Sequence, residues 1–298
     1  MNPIAKRTIT ALATAAALVA LFLYCPLRML PAIIVALSAL VQLEFYQMAA
    51  KYHPVSRFGI ALGTVFLALS AALSGAALFE RCLAVAAMAL APFMFGFAVY
   101  VMCRTAKYEK PIGTIASTLF GFFYVPFLLS FFLRFVQLGT DGGIFAMPET
   151  RTGLYTLFAF LAITKLSDMG GFAFGMAFGR HKMCPAVSPK KSWEGFAGSL
   201  LGSSLMALVF RQVAIKHDWA VDCPFWDHLG LGGAVLLGCV IATLGTLGDL
   251  VESRFKRECG VKDSATFMPA GMGGFLDMFD SVLFIPALAY PLVMFFSR

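Results

Sequence analysis

Asp277 and Asp280 stand at the start of the chain's last apolar run, just after Pro269, Gly271, Gly273 and Gly274. Three apart on a helix is one face. The proline and glycines before them block regular helix and let backbone come close to a ligand. A second group, Asp249, Glu252, Ser253, Lys256 and Arg257, falls at i, i+3, i+4, i+7 and i+8, again one helix face. A third cluster pairs Asp168 with Lys165, three residues before it, within an apolar run. Carboxylates without His or Cys beside them suit a hard cation such as Mg²⁺. Lysines and arginines cluster near the same acids, and magnesium with clustered cations means phosphate. The chemistry this points to is metal-assisted phosphoryl or nucleotidyl transfer. No GxxxxGK[ST] occurs, so the chain is not a P-loop enzyme.

The elements that must position these groups are apolar. Of 298 residues 60% are hydrophobic and 13% charged, about half the charge of a soluble domain. Runs that reach the roughly 20 residues needed to span a bilayer fall at about 8–25, 29–50, 58–79, 82–103, 113–138, 152–179, 196–213, 229–250 and 275–295. In lipid the backbone must satisfy itself, so these are helices. The expected fold is an all-α, polytopic integral membrane protein of about nine transmembrane helices. The first run is read as a span rather than a secretory signal, because no small-residue cleavage pattern precedes Cys25.

Nine spans put the termini on opposite sides. With the N-terminus inside, fifteen basic residues lie inside and seven outside. The positive-inside rule then places the N-terminus and the loops 180–195 and 251–274 in the cytoplasm. The net charge of +7 anchors such a protein to an anionic leaflet and gives no support to nucleic acid as a partner. The seven cysteines show neither zinc spacing nor a disulfide framework.

Two regions follow. Residues 1–150, about five spans, are scaffold; residues 151–298 carry the intramembrane charges, and three acidic clusters there argue for one polar chamber. Glu44, in "LVQLEFYQMAA", is expected to snorkel to the interface with Tyr46 rather than to work as a buried acid. Gly171, Gly175 and Gly179 form a small-residue face, expected to be a packing surface. The loop "SPKKSWEG", residues 188–195, is either an anion cradle at a helix entrance or simply a positive-inside loop.

At these residues the sequence resembles the phosphatidate cytidylyltransferase (CDP-diacylglycerol synthase) family. The C-terminal signature matches at Ser253, Phe255, Lys256, Arg257, Lys262, Asp263, Pro269, Gly271, Gly273, Gly274, Asp277 and Asp280. Upstream, Asp168, Gly175, Gly179, Arg180, Ser188, Pro189, Lys191, Ser192, Glu194 and Gly195 match a second family run. The resemblance covers roughly residues 160–285, with "LEFY" a weak extra match. Three departures stand out: Ala270 is inserted, Met272 replaces the family's His, and Met278 replaces its Arg. They mark a variant branch that keeps its acidic and other basic positions.

The resemblance implies a reaction in which CTP and phosphatidate give CDP-diacylglycerol and pyrophosphate. It implies Mg²⁺ at Asp249, Asp277 and Asp280, and leaves open a second, monovalent cation. Asp249, Asp277, Lys256 and Lys262 become catalytic positions; Ser188, Lys190, Lys191, Glu194, Ser253, Arg257, Asp263 and Asp168 become substrate-binding positions. A homodimer in the cytoplasmic membrane, with its active site facing the cytosol where CTP resides, completes the expectation. The rival readings are a CTP-dependent enzyme on another lipid acceptor, such as an ether-lipid cytidylyltransferase or a polyprenol kinase, and a cation-coupled transporter. The lopsided placement of polar residues disfavours transport, which predicts pseudo-symmetric halves.

Overall fold

Apolar runs take helical form because each backbone N–H then finds its carbonyl within the same segment. In the computed structural model of the chain the described residues are 24–51, 55–74, 110–138, 143–144, 151–185, 187–217, 224–261, 274–279 and 281–296. Helix α1 (Leu30–Ala49) follows a short 3₁₀ turn, α2 (Phe58–Ala72) runs into strand β1 (Leu73–Ser74), and α3 (Pro111–Phe122) continues through a π turn (Phe123–Phe127) into α4 (Leu128–Val136). Strand β2 (Gly143–Ile144) pairs antiparallel with β1. Next come α5 (Thr152–Phe178), the strands β3 (Lys182–Cys184) and β4 (Ser188–Ser192), and α6 (Trp193–Lys216). The chain closes with α7 (Phe225–His228), α8 (Gly230–Glu258), α9 (Phe275–Phe279) and α10 (Ile285–Phe296).

Five helical stretches among the described residues are long and apolar enough to cross a membrane: Leu27–Ala49, Ile112–Val136, Thr152–Phe178, Trp193–Lys216 and Gly230–Glu258. The chain is a multi-pass membrane protein. The expectation of about nine spans is corrected to these five. The expected spans 8–25 and 82–103 lie outside the described residues. The third is shorter than its hydropathy suggests, because the chain leaves helix after Ala72 to pair Leu73 with Ile144. The ninth is broken between α9 and α10. Pro286 has no N–H, and its ring excludes a helical carbonyl at Val282. Hydropathy registers none of these interruptions.

The chain divides into two compact units, Met1–Glu149 with Val261–Met278, and Thr150–Gly260 with Phe279–Arg298. In the first, Pro126 sits inside the π turn, which absorbs the hydrogen bond the proline cannot make. Tyr46 is buried and donates its hydroxyl to the Thr118 carbonyl at 2.7 Å; it does not snorkel. Arg134, also buried, donates to the Ser70 carbonyl (3.2 Å) and hydroxyl (2.6 Å), while Gln137 donates to the Ala71 carbonyl at 2.8 Å. Together they close the C-terminus of α2, whose last carbonyls have no partner within the helix.

In the second unit α5 and α6 pack backbone to backbone. A Cβ on Gly198 would lie 2.5 Å from the Gly170 carbonyl oxygen, and one on Gly202 would lie 2.7 Å from that of Leu166. Gly171 and Gly175 face Ser199 and Gly195 across the same seam. The glycines singled out in α5 are therefore matched by a second row in α6. Helix α8 packs against both, with Gly238 against the Ser204 backbone of α6 and Gly245 facing Thr164 of α5.

Candidate active site

The close α5–α6 seam opens at one end into a cavity of about 300 Å³. Its polar lining includes Asp168 from α5, Lys190 and Lys191 from β4, Asp249 from α8, and Ser281 from the turn before α10. Phe172, Met183 and Phe196 supply apolar wall.

Lys191 reaches Asp249, Nζ to Oδ2, at 2.6 Å, and donates also to the Thr246 carbonyl at 3.0 Å. The Ser253 hydroxyl, one turn along α8, lies 3.5 Å from Asp249 Oδ1. Asp168 Oδ2 accepts from the Ser281 hydroxyl at 3.0 Å, and Lys165 Nζ lies 3.4 Å from that same oxygen and 3.2 Å from Ser281 Oγ. Each cavity aspartate thus carries a lysine. Lys190 brings a further ammonium, so the group holds one positive charge in excess, which favours an anionic guest.

The hairpin that delivers the lysines is held at its base. Ser192 is extended (φ −130°, ψ 157°) and caps α6 by accepting the Gly195 N–H at 3.2 Å. Glu194 turns back to the hairpin: its Oε2 accepts the Arg180 N–H at 3.1 Å and the His181 N–H at 3.2 Å, and its Oε1 lies 2.6 Å from His181 Nδ1. The charged row of α8 divides into two tracks. Asp249 lines the cavity with Ser253 bonded behind it, whereas Glu252 is fully buried and binds Lys256 at 2.6 Å. Arg257 is exposed.

The structure therefore gathers Asp168, Lys190, Lys191 and Asp249 at one cavity, with Ser253 bonded to its edge. Ser188 begins the hairpin strand. Asp277 belongs to the first unit, where its Oδ2 accepts the Gly274 N–H at 2.7 Å. Lys262, Asp263 and Asp280, like Met272, lie outside the described residues.

A sequence profile of the Cytidylyltransferase family matches residues 5–296. The chain belongs to that family. Among proteins named phosphatidate cytidylyltransferase, it is 45% identical to that of Staphylococcus epidermidis over 145 residues, 48% of this chain and 51% of the relative. It is 34% identical to that of Mycobacterium bovis over 173 residues, 58% and 48% of the two chains. With that of Chlamydia trachomatis it shares 30% over 204 residues, 68% and 62%. The chain spans about half the length of the staphylococcal and mycobacterial relatives it matches.

The candidate site contains more than the expected acids and lysines. Ser281, Lys165, the Thr246 carbonyl and His181 were not legible as site elements, whereas Glu194 was named but not its clamp on the hairpin. Ser281 sits next to Asp280, and Lys165 one turn before Asp168; adjacency to a motif was the available signal. Among the described residues no three His, Cys, Asp or Glu side chains form a metal-sized cluster. The metal donors that line the cavity are two carboxylates, with the hydroxyls of Ser192, Ser199 and Ser281 and the Thr246 carbonyl close by, all oxygen. That set fits Mg²⁺, which needs only one or two carboxylates and completes its shell with water and phosphate. Lys191 against Asp249 is already a cation at contact distance from that carboxylate.

Proposed function

We propose that the chain transfers the cytidylyl group of CTP to phosphatidate, giving CDP-diacylglycerol and pyrophosphate, at the cytoplasmic face of the inner membrane. The observation that carries this reading is the lysine-bearing aspartate pair, Asp249–Lys191 and Asp168–Lys165, at one cavity of a membrane-spanning family member. A phosphate oxygen of the lipid attacks the α-phosphorus of CTP, and the bond to the β-phosphate oxygen breaks as pyrophosphate leaves. Both reactants are anionic, so alignment requires fixed positive charge. Lys190 and Lys191 supply it from the hairpin, and the hydroxyls of Ser281 and Ser253 supply donors at the two carboxylates.

Asp249 would hold Mg²⁺, with Asp168 lining the same cavity; the ion supplies electrostatic stabilisation of the developing phosphoryl charge. Asp277 and Asp280 carry the same role by the signature, and Asn substitution of each tests it. The loss of the family's Arg at Met278 and of its His at Met272 makes this a variant branch in which the remaining cations neutralise phosphate, since methionine donates no hydrogen bond. The implied homodimer belongs to the proposal and is tested by crosslinking in native membranes.

The experiment is incorporation of radiolabelled CTP into chloroform-soluble lipid by the purified full chain, with phosphatidate and with and without Mg²⁺. CDP-lipid with pyrophosphate supports cytidylyl transfer. Release of CDP with a phosphorylated lipid identifies a lipid kinase instead, and no CTP consumption rejects both.

A further inference from the structure

Glu44 is a fully buried carboxylate near the end of α1, and it lies in the same unit as the signature segment Val261–Met278. Its Oε2 accepts the backbone N–H of Leu276 at 3.0 Å. Leu276 is itself 1% exposed and immediately precedes Asp277. The expectation that Glu44 snorkels to the interface is therefore overturned.

The bond falls where backbone help is most needed. Helix α9 is five residues long, and its first N–H groups have no acceptor within the helix. So short a helix does not hold itself, because nucleation fixes several dihedrals for each bond gained. Outside acceptors decide whether the turn exists. Asp277 turns its Oδ2 onto the Gly274 N–H at 2.7 Å, and Glu44 takes the Leu276 N–H. A carboxyl oxygen at 3.0 Å thus stands in for the missing intrahelical carbonyl at Leu276.

We infer that Glu44 is the positioning residue for Asp277. It fixes the backbone turn from which that aspartate projects, while touching no substrate itself. The inference rests on the proposed role of Asp277 in cytidylyl transfer, but the bond it invokes can be read separately.

The test uses the full chain in phosphatidylcholine nanodiscs containing phosphatidate, with Glu44→Ala and Glu44→Gln. Half-saturating Mg²⁺ and amide exchange over residues 274–279 are measured on each. In Glu44→Ala, half-saturating Mg²⁺ rises at least fivefold and protection of 274–279 falls at least tenfold. Glu44→Gln, which keeps an acceptor oxygen, stays within twofold on both. Should Glu44→Ala not fold, Glu44→Asp replaces it, its shorter reach moving both readouts in the same direction. Wild-type Mg²⁺ dependence and wild-type protection in the variant lacking the acceptor overturn the inference, as does Glu44→Gln behaving like Glu44→Ala. If the wild type transfers no cytidylyl group, the proposed function fails while the exchange measurement still decides the positioning bond: lost protection supports it and unchanged protection refutes it.

Discussion

Lys191 of the β3–β4 hairpin and Asp249 of α8 meet end to end, Nζ to Oδ2, at 2.6 Å, and the lysine is held a second time by the Thr246 carbonyl. Both partners line the cavity, at 22% and 35% side-chain exposure. The pair is therefore open to a ligand yet fixed on the protein side. Asp249→Asn is expected to lower kcat/KM for cytidylyl transfer by about 10²-fold or more, the usual loss when a group that stabilises developing charge is removed. Lys191→Met raises the KM for CTP. In a double-mutant cycle the two changes are non-additive by about 0.5–3 kcal/mol, read from initial rates in the lipid assay.

The α5–α6 seam sets the cavity's walls. Gly198→Ala would put a methyl 2.5 Å from a backbone oxygen of Gly170 and equally close to Phe174 Cβ. Overpacking of this kind costs about 1–3 kcal/mol, so thermal unfolding in detergent should move to lower temperature and turnover fall with it. Gly232→Ala is the control. Its Cβ meets nothing within 4 Å, and alanine in a helix is worth roughly 0.5–1 kcal/mol over glycine.

Arg134 and Gln137 close α2 in the first unit. Arg134→Met would leave the Ser70 carbonyl without its donor in a buried setting, a loss of about 1–3 kcal/mol. Gln137→Leu removes the bond to the Ala71 carbonyl and the 3.3 Å acceptor of Arg134 Nη1 but leaves both Ser70 bonds in place, and should cost less. The ratio of the two Tm shifts checks the assignment, and Mg²⁺ dependence in either variant should stay at the wild-type value.

Glu194 ties the hairpin base to the start of α6. In Glu194→Ala the Arg180 and His181 amides lose their acceptor, so their exchange should accelerate. The hairpin carries Lys190 and Lys191, so the KM for CTP should rise several-fold with a smaller change in kcat. Glu194→Gln retains one acceptor oxygen, in reach of both amides, but gives up the second oxygen at His181 Nδ1, and should fall between wild type and Glu194→Ala.

Much of this site was legible because its chemistry conflicts with its surroundings. Asp168 and Asp249 stand out as acids in apolar runs, and the "SPKK" lysines stand out at a helix entrance; three separate segments then prove to share one cavity. That Lys191 of this loop bonds Asp249 was not legible, because the partner lies on a separate segment. Helix number was overread for a related reason. Hydropathy sums composition over a window, whereas α2 stops at a strand pair and the last run stops before Pro286. Glu44 was misread because its partner is a backbone N–H far along the chain, and sequence spacing carries no mark of such a bond.

Helix α8 has 29 residues, which at 1.5 Å each is about 43 Å, against roughly 30 Å of hydrocarbon. Held upright, such a helix extends past the oily layer by close to a third of its length, and tilt reduces that share. Asp249 is the tenth residue from its end, roughly 14 Å from it along the axis, where the apolar stretch gives way to the charged last turns. For the proposed transfer, a lipid acceptor that meets Asp249 at the end of the apolar stretch would need neither lifting into water nor drawing toward the bilayer centre. Sideways diffusion within its own leaflet would then suffice, with the nucleotide supplied from the aqueous side.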